Sequence, residues 1–245
     1  MSMPLRLGSE KTGVVDYRGG NESQKCPRCG YGRNSTKGGK LLHGTPVLPE
    51  TAALRTVLSE VSKAILVSST FQAADDRKRF FMLGALAATF GGREVYLVAT
   101  SKGGTDYLKL GHLDDITWHK GKWQIAPVDP PSDDSGTGWK GWSTIMGERV
   151  DLDPHIPNYS TPCAAIRLLL SLGSLNTQHR KMDSVALAEM VYIDKAAKPG
   201  PRENPDLYRT HHGSMSGSSW TARSCGPCER RIPYLICDVP KNLIE

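Results

Sequence analysis

Ser224-Cys225-Gly226-Pro227-Cys228-Glu229-Arg230-Arg231-Ile232-Pro233-Tyr234-Leu235-Ile236-Cys237 is the stretch around which the rest of the chain makes sense. Two cysteines separated by two residues can close on one metal ion, and Gly226-Pro227 supplies the turn that aims both sulfurs the same way. A helix-compatible run follows at once. Thiolates at a helix start are favoured by the positive end of the macrodipole, which also lowers a thiol pKa. Two thiolates leave an ion such as Zn2+ incomplete, because it takes four ligands, or three and an open place for water. Other parts of the chain must supply what is missing.

Working outward toward the N-terminus, residues 196–223 are rich in Pro, Gly and Ser and contain His211, His212 and Trp220. Such a loop offers surface histidines or a substrate-contacting segment. Val185 to Asp194 reads as a strand centred on Met190-Val191-Tyr192-Ile193. Thr161 to Gly173 reads as a short helix, with Thr161 as N-cap, Pro162 at the first helical position and Gly173 as its stop. Cys163 then falls in the first turn. A sulfur at one helix start can face the Cys225/Cys228 pair at another, giving three thiolates with one position left for water. Bound in that way, water titrates near about pH 7 instead of 15.7.

Residues 126–147 read as a loop, with Trp139 and Trp142 around Lys140. Aromatics interleaved with a basic residue can stack on unpaired bases, or they can cap a core edge. Ile116–His119 and Lys122–Ile125 flank Lys120-Gly121 and read as a hairpin. Arg93–Thr100 is a strand by its β-branched and aromatic content. Residues 72–89 read as a helix stopped by Gly91-Gly92. A further helix is expected over 49–65, where Leu54, Val57, Leu58, Val61 and Ile65 form one face and Pro49 and Glu50 suit the first turn. The order of elements from residue 93 onward is that of an α/β sandwich.

The first 45 residues are polar, basic and without apolar periodicity. They hold a second pair, Lys25-Cys26-Pro27-Arg28-Cys29-Gly30, with the shape of a zinc knuckle and half of the ligands such a site needs. His43 is the nearest candidate partner. Two further readings stay open: free thiols in an arm, and a closed four-thiolate site made by Cys26, Cys29, Cys225 and Cys228. In that last case Cys163 is an ordinary buried thiol. Cys237 follows an apolar run and reads as core.

The chain has 245 residues, six cysteines and a net charge of +6. The charge is compatible with a polyanionic partner such as nucleic acid, and equally with a plain basic surface. No apolar run approaches the roughly 20 residues needed to span a bilayer, and no apolar signal-peptide core follows Met1. No membrane partner is expected. A cytoplasmic setting, or delivery into a target cell, is the expectation. With two Cys-x-x-Cys pairs in that setting, metal binding is favoured over disulfides.

Pro162-Cys163-Ala164-Ala165 and Ser224-Cys225-Gly226-Pro227-Cys228 resemble the two motifs of the zinc-dependent nucleobase deaminases. The nearest likeness is to bacterial toxin-type deaminases with a Cys-Ala-Glu first motif and a Ser-Cys-x-x-Cys second motif. The resemblance covers about residues 93–240. It implies a three-layer α-β-α sandwich of the deaminase type, here with an N-terminal helical appendage and an irregular arm. The domains are then 1–48, an arm carrying the knuckle; 49–92, a helical segment; and 93–245, the catalytic domain. It also implies Zn2+ held by Cys163, Cys225 and Cys228, and hydrolysis of cytosine to uracil in nucleic acid, DNA more than RNA. An immunity or inhibitor protein is implied as a further partner.

One departure matters. The family places its proton-shuttling Glu two residues after the first ligand, and this chain has Ala165 there. Deamination needs a carboxylate to move a proton from water to the ring nitrogen and the leaving amine. Three explanations are open: a copy inactivated by replacement at Ala165, a carboxylate brought from elsewhere with Glu189 as first candidate, or a natural pseudoenzyme that only binds. The alternative function is a non-catalytic, zinc-ribbon-like nucleic-acid-binding or adaptor protein.

Overall fold

The computed structural model describes residues 14–19, 25–31, 36–37, 40–41, 47–73, 81–101, 107–128, 142–150, 163–192, 215–216, 219–220 and 226–244. In chain order the elements are β1 (Val14–Gly19), β2 (Thr36–Lys37), β3 (Lys40–Leu41), β4 (Val47–Thr51), α1 (Ala52–Val67), α2 (Ser69–Gln72), β5 (Phe81–Phe90) and β6 (Arg93–Thr100). There follow β7 (Trp123–Ile125), α3 (Ala164–Leu175), β8 (Ser184–Tyr192), β9 (Met215–Ser216), β10 (Ser219–Trp220) and α4 (Gly226–Leu235). The fold is mixed α/β. Its centre is an open four-stranded sheet in the order β7-β6-β5-β8.

The inner strand β5 corrects the helix expected over 72–89. Within that range the described residues are helical only to Gln72, and Phe81–Phe90 is a strand paired antiparallel to both β6 and β8. A strand covered on both faces shows a continuous apolar run rather than alternation, so its Ala- and Leu-rich sequence carries no period that marks it as β. Two flanking ladders then outweigh the helical preference of Ala and Leu. Gly91 and Gly92 do not stop a helix. With φ of 54° and 77° they form the two-residue turn of the β5–β6 hairpin. Part of the segment expected as a helical appendage, Phe81–Phe90, therefore supplies an inner strand of the sheet.

Alternation sorts the strands onto two faces. Met82, Leu86, Ala88 and Phe90 of β5, Val95, Leu97 and Ala99 of β6, and Val185 and Leu187 of β8 point to one face. There they pack with α3 and with Ile232 and Leu235 of α4. Phe81, Leu83 and Ala85, Tyr96 and Val98, and Ala188 point to the other, against Leu54, Val57, Leu58, Val61 and Ile65 of α1. The apolar face expected for α1 is therefore the one that is buried. The helix begins later than expected, at Ala52, because Pro49 and Glu50 belong to β4. Thr51 is its N-cap, with Oγ1 accepting from Leu54 N–H at 3.3 Å. The fully buried Glu50 carboxylate accepts from Arg55 Nε at 2.6 Å.

The expected 116–125 hairpin is also corrected. Residues 119–122 do turn, with His119 and Gly121 at positive φ. However, β7 pairs in parallel with β6, Tyr96 opposite Trp123, and not with the residues just before it. Toward the C-terminus, the expected final strand is absent among the described residues, where a 3-10 turn at Lys241–Leu243 follows α4.

Helix α3 runs from Ala164 to Leu175, so Gly173 lies inside it rather than stopping it. A Cβ at residue 173 would collide with the backbone of Thr144, which crosses the helix there. The helix ends on Asn176, a fully buried residue. Its side-chain amide donates to Ile145 O at 3.1 Å and to Arg180 O at 2.6 Å, and its Oδ1 accepts from Arg180 N–H at 2.9 Å. Asn176→Ala leaves those buried groups without their partners. A loss of about 2–4 kcal/mol is expected, read as a lower denaturant midpoint at unchanged slope.

No helix among the described residues is long and apolar enough to cross a membrane.

Candidate metal centre and active site

Two small-residue contacts bring the start of α3 down onto the sheet. β5 carries Gly84 beneath the helix, where a Cβ would lie 2.8 Å from Leu168 Cδ1 and 3.0 Å from Ala164 Cβ. Its cross-strand neighbours are Ala99 on β6 and Glu189 on β8. Val185, Leu187 and Glu189 share one face of β8, so the stripe that packs under α3 ends in a carboxylate. Glu189 is 1% exposed, and its Oε1 accepts from the Ala165 backbone N–H at 2.9 Å. Ala165 N–H is one of the donors that a helix start leaves without an intrahelical partner. The site thus joins a buried carboxylate to the positive end of α3.

Cys163 is the N-cap of that helix, in extended backbone conformation, and is half-buried. It takes the role expected of Thr161, which lies with Pro162 outside the described residues. Ala164 and Ala165 are fully buried. One turn on, Arg167 is buried as well, and burial lowers its pKa. Cys228 stands in the first turn of α4 and is buried in the same core cluster that Cys163 packs against. Helices α3 and α4 are in contact. Cys225 immediately precedes α4 in sequence and lies outside the described residues, as do Trp139, His211 and His212. Trp220 is in β10, paired with Met215 of β9. Trp142 is 7% exposed, with the Arg231 guanidinium 5.5 Å from its ring centroid, so it belongs to the core and not to an open aromatic surface.

A second cluster lies at the far end of α4. Cys26, Cys29 and Cys237 are buried, and their sulfurs all lie within 4.8 Å of one another, an arrangement placed to hold a metal ion. The knuckle is shaped by backbone hydrogen bonds from Gly30 N–H to Cys26 O at 2.8 Å and from Cys26 N–H to Tyr31 O at 3.1 Å, with Gly30 at φ 71°. Cys228 does not join Cys26 and Cys29 in this group, and Cys225 and the expected partner His43 lie outside the described residues. Hydrogen bonding with Cys237 and Cys29, then burial, pushes the Cys26 thiol far above its ordinary value. Arg28 loses hydration by burial, yet the Cys237 sulfur and Glu148 hold its pKa above the usual one.

Sequence reasoning placed Cys237 in the core and gave Arg28 no role. Neither is signalled locally, because their association joins the two ends of the chain. A cavity of about 240 Å³ opens among Phe90, Arg93, Asn176, Gln178 and Arg180. It sits at the C-terminal end of α3, about 18 Å from Cys163 by helix rise, and takes no part in the Cys26/Cys29/Cys237 cluster. Comparison with protein-family models, curated proteins and solved structures finds no match for this chain.

Proposed function

We propose that the chain is a zinc-dependent hydrolytic deaminase converting cytosine to uracil in nucleic acid, DNA more than RNA, and that Glu189 is its carboxylate. The observation that carries this reading is the 2.9 Å hydrogen bond between Glu189 Oε1 and Ala165 N–H, directly after the N-cap Cys163. The carboxylate lies beside the position where the family resemblance requires one, but comes from strand β8 and not from helix α3. The placement of α1 on one face of the sheet and of α3 and α4 on the other supports a three-layer arrangement of the deaminase type. Ala165 is then neither a gap nor a sign of inactivation, since it is fully buried and its N–H orients the carboxylate.

The donor set fits zinc: Cys163 at one helix start, Cys228 in the first turn of another, both against one core cluster, with Cys225 as third. Zinc there, when bound, supplies a Lewis acid that makes water a nucleophile near neutral pH. Glu189 accepts the proton that water loses as its oxygen bonds to the ring carbon bearing the amine. It passes that proton to the ring nitrogen, then takes the second proton from the newly bonded hydroxyl and gives it to the departing amine as the C–N bond breaks, so that cytosine and water become uracil and ammonia. The start of α3 holds the carboxylate in one orientation throughout. The +6 net charge favours a polyanionic strand over a free nucleoside.

The test is uracil formation from cytosine in single- and double-stranded DNA, RNA and free cytidine, with metal content measured in parallel. Cys163→Ser is expected to lose both activity and one equivalent of zinc. A second reading, a zinc-ribbon-like nucleic-acid-binding or adaptor protein, is favoured by the Cys26/Cys29/Cys237 cluster. It predicts that Cys163→Ser keeps all bound zinc and all nucleic-acid affinity.

A further inference from the structure

Cys26, Cys29 and Cys237 share no residue with the deaminase centre, and a metal held by them is independent of that chemistry. We propose that these three sulfurs form a separate structural site for a soft divalent cation, zinc, which staples the N-terminal knuckle to the C-terminal end of α4.

The chemistry of the donors selects the ion. The cluster is built from sulfur, whereas calcium and magnesium take oxygen ligands. Zinc about 2.3 Å from each sulfur in a tetrahedral arrangement sets the sulfurs about 3.8 Å apart. The observed separations, all within 4.8 Å, come close to that before any ion draws them in. The surroundings are dry: the three cysteines are 1%, 8% and 0% exposed and are packed with Val239, Tyr31, Leu243 and Ile244. Three thiols in one pocket are also poorly explained as a disulfide site, since one bridge strands the third sulfur.

Arg28 completes the electrostatics. Its Nη1 donates to Cys237 Sγ at 3.3 Å and to Val239 O at 2.6 Å, and its Nη2 pairs with Glu148 at 2.7 Å. Three thiolates around a divalent ion would carry one net negative charge, and the Arg28 guanidinium, shared with the Glu148 carboxylate, offsets part of the negative charge gathered there. Partners of this kind fix the ligands of structural metal sites and are rarely dispensable. The same Arg28 fork ties together three segments far apart in sequence. Glu148 Oε1 also accepts from Lys241 N–H at 3.3 Å, and Ile145 N–H donates to Leu235 O at 2.7 Å. Loss of the ion therefore releases the knuckle, the 142–150 turn and the 236–244 segment together. The three described donors leave one position for a fourth.

The test uses the full chain, purified under reducing conditions, with zinc content, cobalt substitution and hydrogen exchange as readouts. Cys163→Ser is expected to retain one equivalent of metal. Loaded with cobalt, it should show a thiolate-to-cobalt charge-transfer band that saturates at one equivalent. Chelation of that variant should speed amide exchange at least tenfold across 25–31, 142–150 and 236–244. Cys237→Ser should lose one equivalent relative to the wild-type chain. Wild-type metal content in Cys237→Ser, or no sulfur-to-cobalt band in Cys163→Ser, overturns the proposal. Should Cys237→Ser fail to fold, the cobalt titration of Cys163→Ser decides alone. The outcomes also separate the two readings. One equivalent in the wild-type chain and none in Cys237→Ser leaves the staple standing and removes the catalytic centre.

Discussion

Glu189→Gln is expected to lower uracil formation about 100- to 10,000-fold, the usual contribution of a positioned acid–base group. Zinc content should stay unchanged and stability nearly so. The amide has the carboxylate's shape, and its oxygen still accepts the Ala165 N–H that now lies 2.9 Å from Oε1. What it cannot do is take up and return a proton. The reciprocal variant separates this account from an inactivated copy. Ala165→Glu forces a long, charged side chain into a fully buried position and sets it against a carboxylate already there. It should destabilise the protein by about 3 kcal/mol or more and add no activity. A gain of activity in Ala165→Glu, with Glu189→Gln behaving as its parent, assigns the catalytic role to position 165 and leaves Glu189 a structural one.

Gly84→Val should unseat the same site from below. A Cβ at residue 84 already stands 2.8 Å from Leu168 Cδ1 and 3.0 Å from Ala164 Cβ, and valine adds two methyl groups beyond it. The leucine end can turn aside, but Ala164 is part of the helix and can yield only if α3 lifts. Overpacking of this kind costs about 1–3 kcal/mol. A lift of about 1 Å at the helix start moves Cys163 and the Ala165 N–H away from Glu189, enough for about a 100-fold loss of rate. Denaturant melts and rates should move together. Adding Leu168→Ala removes one of the two colliding groups, so the double variant should be more stable than the sum of the single losses requires. Strict additivity would mean that α3 does not rest on Gly84.

Part of the architecture around the candidate site was legible in the sequence. The presence of helices at α3 and α4, the strands β6 and β8 and the buried face of α1 follow from helix signals, β-branched content and periodicity, although α3 takes Cys163 and not Thr161 as its N-cap. The failures have identifiable physics. β5 is covered on both faces, so its apolar residues show no alternation, and a two-glycine hairpin turn looks like a helix stop when the run before it looks helical. β7 pairs with a strand distant in sequence, and a local Lys-Gly turn carries no information about that. The sulfur of Cys237 meets Cys26 and Cys29 only after the chain ends come together. Glu189 did leave a trace: it occupies an inward position of the Val185-Leu187-Glu189 stripe, where a carboxylate without a role is costly.

The most direct measurement is anomalous diffraction at the zinc edge from crystals of the zinc-loaded 245-residue chain. The account predicts two ions per chain, one among Cys26, Cys29 and Cys237 and one bound by Cys163, Cys225 and Cys228 with the Glu189 carboxylate facing it. A single peak at the knuckle, with the sulfur of Cys163 bound to nothing, contradicts the catalytic centre and leaves a metal-stapled binding protein.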